Sequence, residues 1–355
     1  MVEKSRALYI IKQFPQISET YVKSEIEAMS DNWKVLVVAY SKPDIPYSNP
    51  ARHVIEKDWN RIVEVIQEFR PHVLHTHWLY NIWDLDWFAT QTSTPYTVRA
   101  HSFDVLIDNA SHYPTAVPLV NSDLCLGVLT FPFGRDSLIR TGMREDKIHS
   151  CWPVVNVARF MDKSPNGDRV MNVGACLPKK QMEDFLELAK SKEDTGFDLY
   201  ALGYDAPKFR ELNQSMGSPV TVVPAVEPNE MPAEYKRHRW LVYTASQKIG
   251  TVGWPMAIAE AQASGVGVCM ANLRPDLKQY VGEAGYLFNS ISEARDIISK
   301  PFPEEKRQLG FEHAKKSDVA QHKLILDTLW NNNIPADRRI EPTADHRCCA
   351  SARSN

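Results

Sequence analysis

Apolar residues fall along this chain in short runs that alternate with stretches of helical spacing. Residues 8–11 are an apolar run too short for a helix and predict a buried strand. Ser18 follows as a candidate cap for a helix whose Val22, Ile26 and Met29 recur at i, i+4 and i+7. Residues 35–39 predict a second strand, and Ile62, Val65, Ile66 and Phe69 line one face of a second helix. Further strands are expected at 73–75, 97–99 and 124–129. Strands that alternate in this way with amphipathic helices imply a parallel sheet covered on both faces.

The rhythm pauses over residues 151–169, which include Pro153, Pro165 and Gly167, and restarts with a strand at 170–174. The second half repeats the style, with strands expected at 199–203, 220–223, 241–244 and 266–270 and a helix at 255–264. Helices at 304–316 and 319–331 end the pattern. The expected organisation is an N-terminal Rossmann-like domain over 1–165, a second over 166–310, closing helices over 311–335 and a disordered tail over 336–355. A length of 355 residues agrees with two domains, since one core serves about 100–200 residues. Open α/β sheets bind ligands outside the carboxyl ends of their strands, so the site is expected in the cleft where the two sheets face each other. The fold alone names no reaction.

Composition narrows the classes. Hydrophobic residues make up 43% and charged residues 24%, the balance of a soluble globular protein. A net charge of −3 leaves no basic footprint for nucleic acid and no general attraction to anionic lipid. The apolar run at 7–11 is too short for a signal peptide or a membrane span, so a cytoplasmic protein is expected. Cysteines at 125, 151, 176, 269, 348 and 349 have no C-x-x-C spacing, and those within apolar runs are expected to be buried, reduced thiols.

Five segments carry candidate chemistry. Phe14-Pro15-Gln16-Ile17-Ser18-Glu19-Thr20 follows the first strand and opens a helix, whose N-terminus can meet an anion or is only a capped end. In Pro71-His72-Val73-Leu74-His75-Thr76-His77-Trp78, two histidines alternate along an extended chain and can share one face. No third ligand is evident from the sequence, and no metal is expected. Arg99-Ala100-His101-Ser102-Phe103-Asp104 lies just past a strand's carboxyl end, where a histidine can face a sugar or a phosphate or be structural. Val173-Gly174-Ala175-Cys176-Leu177-Pro178-Lys179-Lys180 sets a close-approaching backbone beside two cations, a pattern suited to a diphosphate or merely a solvated lysine pair. The stretch from Gly250 to Val268 holds a glycine-containing loop, then Pro255 at the first turn of a helix. Glu260 lies within that otherwise apolar helix and needs a partner, for which two vicinal ribose hydroxyls are suitable.

Together these segments, across roughly residues 8–290, resemble the family 4 glycosyltransferases, retaining enzymes of the GT-B fold. The resemblance is strongest in F-P-Q-I-S-E-T, P-H-V-L-H-T-H-W and G-W-P-M-A-I-A-E-A-Q-A-S-G-V-G-V, and extends to the segment from Arg274 to Gly285. It implies retaining, metal-independent transfer of a sugar from a nucleotide-diphosphate sugar, UDP- or GDP-linked, to a hydroxyl acceptor (a glycan, a lipid-linked or a small-molecule glycoside). The nucleotide sugar is a co-substrate, and no further cofactor is implied. His101 matches the histidine near the reacting sugar, Lys180 the lysine on the diphosphate, and Glu260 the second glutamate of E-x7-E, which binds the ribose. Val252, Gly253, Trp254, Pro255, Met256 and Ala257 would line the donor with Lys179, and Pro224-Ala225-Val226 would hold the base.

Two positions depart from the pattern. The first glutamate of E-x7-E is Val252, and the arginine that usually precedes the lysine is Ala175. A hydrogen bond to a charged group is worth about 1.5–3 kcal/mol, so losing both costs roughly 10²–10⁴ in rate unless Gln247, Lys248 or Lys179 compensates. Val252 suits a donor sugar that lacks the usual hydroxyl, and the two departures together also suit a pseudoenzyme or nucleotide-binding scaffold. A sugar-nucleotide epimerase on the same architecture fits the motif order less well. Acceptor contacts are expected from the N-terminal domain, at Ser18, Glu19, Trp78 and Asp104. Tyr80, Trp83 and Trp87 share a helical face, which suits packing or sugar stacking. No basic amphipathic helix supports a peripheral membrane contact.

Overall fold

The computed structural model describes residues 4–106, 113–192, 194–203 and 205–332. The first apolar run is the centre of β1 (Arg6–Gln13), followed by α1 (Thr20–Ser30), β2 (Lys34–Ser41), β3 (His53–Ile55), α2 (Trp59–Phe69), β4 (Val73–His77), α3 (Ile82–Thr92) and β5 (Tyr96–Arg99). The short α4 (Ser102–Leu106), α5 (Tyr113–Val120), β6 (Cys125–Thr130), α6 (Pro132–Arg140) and β7 (Ile148–Ser150) complete the first domain. All its strand pairs are parallel, in the order β3-β2-β1-β4-β5-β6-β7.

Both faces of this sheet are covered, as the alternation requires. Leu8 and Ile10 of β1, with Leu36 and Val38 of β2, enter a core shared with Ile62, Ile66, Ile82, Leu85 and Phe88. Ala7, Tyr9 and Ile11, with Val35, Val37 and Ala39, point the other way, onto Val22, Ile26 and Met29 of α1. A strand with no polar side in its centre has to be sandwiched, and this one is.

After α7 (Val157–Phe160) the second domain begins with β8 (Arg169–Ala175) and α8 (Glu183–Lys190), then β9 (Phe197–Leu202), α9 (Ala206–Ser215), β10 (Thr221–Val223), α10 (Met231–Lys236) and β11 (His238–Tyr243). It continues with α11 (Met256–Ala263), β12 (Gly267–Ala271), α12 (Leu277–Val281), β13 (Gly285–Phe288), α13 (Ile291–Ile298), α14 (Glu304–Ala314) and α15 (Val319–Asn331). The six strands are parallel in the order β10-β9-β8-β11-β12-β13 around one core. The sheet order reverses between β1 and β4 in one domain and between β8 and β11 in the other, which opens a crevice at each carboxyl edge.

The two terminal helices part company. α14 packs on α11 of the second domain, whereas α15 returns to α1 of the first. Leu326 and Trp330 of α15 belong to the first domain's core, and Trp33 Nε1–H donates to Asp327 at 2.7 Å. The two crossings of the chain run side by side. Val155 N–H donates to Ser317 O at 2.9 Å and Val319 N–H to Val155 O at 2.8 Å.

Local expectations shift in detail. Ser18 does not cap α1; Glu19 takes the cap position without a side-chain bond, because the Glu19 N–H to Gln16 O turn delays the first helical residue to Thr20. Pro255 likewise sits at the cap position, with α11 starting at Met256. Trp83 and Trp87 pack against the first domain's core, while Tyr80 belongs to a separate turn before α3 and stacks on Trp78. Cys125, Cys151, Cys176 and Cys269 are buried and free. Cys348, Cys349 and the tail over 336–355 lie outside the described residues. No helix among the described residues is long and apolar enough to cross a membrane.

Candidate active cleft

A cavity of about 350 Å³ lies between the carboxyl edges of the two sheets, large enough for a small-molecule ligand. The first domain contributes Ser18, Glu19, Tyr21, His77, Trp78 and His101. The second contributes Gly174, Ala175, Lys179, Lys180, Tyr243, Val252 and Glu260, with residues 253–257 between them. His101, Lys180 and Glu260, far apart in the chain, therefore share one cavity.

Lys180 follows the end of β8 through a short turn, and its ammonium fills the space above Gly174. The backbone at Gly174, with φ at +137°, favours glycine, and a Cβ there would stand 2.1 Å from Lys180 Nζ and displace the ammonium. Among the described residues no carboxylate pairs with Lys180; its ammonium lies 5.6 Å from the centre of the Tyr243 ring. Loss of water, with the nearby Lys179 charge, pushes its pKa down to about 8. Lys179 leans toward the loop before α11, its Nζ 3.5 Å from Thr251 O. An uncompensated pair of cations in a cavity wall is arranged to meet an anion.

The start of α11 faces the same space with N–H groups that a helix leaves without internal acceptors. Its approach is held from behind. Tyr280 Oη donates to Pro255 O at 2.5 Å, the Tyr280 ring stacks on Trp254 at 4.8 Å, and Trp254 Nε1–H donates to Asp276 at 2.8 Å. Glu260, one turn further, accepts from Tyr235 Oη at 2.7 Å. Burial raises its pKa to about 7 against the opposing effect of that bond. One carboxylate oxygen is thus fixed by Tyr235, and the residue still lines the cavity.

His101 is set by a clamp. Asp104 accepts from the His101 N–H at 2.7 Å, from Leu79 N–H at 3.0 Å and from Tyr80 N–H at 3.4 Å. Asp104, expected at the acceptor, is therefore turned inward behind His101, because three backbone N–H groups compete for its carboxylate. The His101 ring lies 4.7 Å from Tyr21 and 4.3 Å from Trp78, and burial holds its pKa well below the usual histidine value. Glu19 stands in the same wall with its pKa raised by burial to about 7.

The remaining expectations divide. Ser18, Glu19, Trp78, Val226 and 252–257 line the cavity, but Ala225 is exposed and does not. Of the three side chains considered as substitutes, Lys179 reaches the lining, whereas Gln247 and Lys248 are exposed outside it. Val252 is buried, and the guanidinium of Arg274 donates to its carbonyl, so a cation rather than a carboxylate is held at that point. Sequence reasoning missed Tyr235, Tyr21 and Tyr243. Only Tyr21 carried a local signal, as the residue that follows F-P-Q-I-S-E-T. His75 and His77 do share a face, and Glu25 of α1 supplies the third donor that was not evident from the sequence.

No family model matches the chain, and no curated protein matches it. Solved structures match over nearly its whole length. HepE of Anabaena in complex with UDP-glucose superimposes with a TM-score of 0.72 at 13% identity, covering 91% of this chain and 99% of that one. Sucrose-phosphate synthase of Thermosynechococcus elongatus gives 0.70 at 14% identity, covering 92% and 98%. The lipopolysaccharide outer core galactosyltransferase WaaB gives 0.63 at 11% identity, covering 93% and 100%. These neighbours are GT-B glycosyltransferases, and the likeness shows that this chain has the GT-B fold.

Proposed function

We propose that the chain transfers a sugar from a nucleoside-diphosphate sugar to a hydroxyl acceptor, with retention at the transferred carbon and no metal on the diphosphate. The observation that carries this reading is the position of Lys180. It is a half-buried ammonium with no carboxylate partner among the described residues, at the carboxyl edge of β8, in one cavity with the start of α11 and Glu260. The diphosphate would lie between Lys180, Lys179 and the α11 N–H groups. Charge that develops on it as the sugar leaves would meet donors already in place. Glu260, steadied by Tyr235, would accept from the ribose hydroxyls. His101 faces the same space from the other domain, held neutral by burial and fixed by Asp104, and would donate to or accept from the sugar. The acceptor would enter along Glu19, Tyr21 and Trp78. Narrow separation of the domains would keep water from competing with it. That HepE is solved with UDP-glucose supports a uridine donor as the first to test.

A nucleotide-binding scaffold without turnover is the second reading, favoured by Val252 and Ala175 in place of two charged groups. One experiment separates the two. Melting is followed with UDP, GDP, ADP, CMP and dTDP, and the matching nucleotide sugars are then assayed for nucleotide release with a panel of hydroxyl acceptors. A ligand at about 100 times its dissociation constant adds about 2.7 kcal/mol, a rise of about 4 °C for a chain of this size. A rise with one nucleotide, lost in Glu260→Ala, together with acceptor-dependent release, is expected. A rise without release assigns the scaffold, and no rise with any nucleotide overturns both.

A further inference from the structure

Beneath the His101 wall of the cleft, three buried polar atoms without a well-formed hydrogen bond gather at one point: Glu25 Oε1, His75 Nε2 and His77 Nε2. Glu25 comes from α1, and the two histidines lie two residues apart on one face of β4. Glu25, His75, His77 and Tyr9 are all completely shielded from solvent. Buried polar atoms are nearly always satisfied, so three orphans at one point call for a common partner.

We propose that Glu25, His75 and His77 form a structural site for a divalent transition metal of the zinc type. The distances decide between coordination and direct hydrogen bonding. Glu25 Oε1 lies 3.2 Å from His75 Nε2 and 3.4 Å from His77 Nε2, and neither contact has hydrogen-bond geometry. A charge-assisted N–H to carboxylate bond is shorter, about 2.7–2.9 Å. Ligand atoms bound tetrahedrally at about 2.0–2.1 Å stand about 3.3 Å apart, which is the spacing found.

The surrounding groups orient the ligands as an outer shell does. His75 Nδ1 lies 2.8 Å from Thr97 Oγ1 and His77 Nδ1 lies 3.1 Å from His101 Nε2, so each ring can place its proton outward and its Nε2 lone pair inward. Glu25 Oε2 is already engaged. Arg99 can only donate, so its contact to His322 Nδ1 at 3.4 Å puts the His322 proton on Nε2, where it is donated to Glu25 Oε2. Oε1 alone is left for the metal. Two imidazoles and one carboxylate suit zinc among the divalent ions. The ion would tie α1 to β4, and through His322 to α15, directly behind the histidine that faces the cleft.

The test uses the tag-free full chain, purified without chelator, and reads metal by elemental analysis. About one equivalent of zinc per chain is expected. Removal by a strong chelator should lower the melting temperature of the wild-type chain, and Co²⁺ should restore it with the intense visible absorption of a tetrahedral site. His75→Gln and Glu25→Gln should each lose the equivalent. The wild-type measurements stand even if those variants fail to fold. A wild-type chain that carries no stoichiometric metal, takes up neither Zn²⁺ nor Co²⁺ and melts alike with and without chelator overturns the proposal, leaving the three atoms to a buried water. Zinc retained in both variants overturns it as well, by placing the ion elsewhere.

Discussion

Burial moves two oppositely charged groups of the cleft toward neutrality, Glu260 up to about 7 and Lys180 down to about 8. The signs fix a pH profile. On the proposed reading, a nucleoside diphosphate would be held best when Glu260 is a carboxylate, above about pH 7, and Lys180 an ammonium, below about pH 8. Affinity for the preferred nucleotide should therefore peak between these values when titrated by calorimetry. Lys180→Met should weaken it by about 10- to 150-fold, the worth of a bond to a charged group, and abolish the alkaline fall. Glu260→Gln should abolish the acid fall. A flat profile from pH 6 to 9 in the wild type would remove both residues from the nucleotide. Both were legible because each sits in a contiguous motif whose backbone context is local. Tyr235, which holds Glu260, was not legible, since it stands 25 residues away on another helix. Asp104 was legible as a residue near His101 but not as its clamp, because the direction of a carboxylate depends on which N–H groups the turn presents.

At the scale of elements, the helix over Val319–Asn331 matters most. Its apolar spacing predicts a helix correctly but says only that one side is covered, not by what. In the fold it crosses back to α1, where Trp330 is buried, meets Trp33 edge-on at 5.0 Å and donates to Thr97 Oγ1 at 2.9 Å. Removal of such an aromatic from a core costs about 3–5 kcal/mol. Trp330→Ala should thus lower the melting temperature by about 4–7 °C in a scanning calorimeter. If α15 were a loosely attached terminal helix, the same variant would melt like the wild type. The short strands β3, β7 and β13 escaped sequence reading for a related reason. All three lie at sheet edges, where pairing with one neighbour rather than a long apolar run makes the strand.

The whole molecule closes at one glycine. A Cβ built on Gly253 would lie 2.3 Å from the Ser102 Cβ of the opposite domain, closer than any two such atoms approach. Across the mouth of the cleft, Ser48 N–H and Oγ donate to the Glu227 carboxylate, the hydroxyl at 2.8 Å. Gly253→Ala should hold the domains apart. By small-angle scattering its radius of gyration should exceed that of the wild type, kcat/KM for transfer should fall, and Ser102→Gly in the same chain should restore both. An unchanged radius with lost activity would instead place the defect in the donor loop.

The sequence by itself determined the alternation of strands and helices, the division into two parallel-sheet domains, and the order of the cleft motifs. Each depends on side-chain period or on residues within one turn of one another, and such signals survive without knowledge of the fold. Tertiary structure alone decided that Lys179 reaches the cavity while Gln247 and Lys248 do not, and that Asp104 faces inward. It also decided that α15 belongs with the first domain and that Glu25 meets His75 and His77. These depend on which buried group finds which partner, a choice made by tertiary packing that reaches from 25 residues for Asp104 to 294 for α15, and over such separations periodicity carries no information.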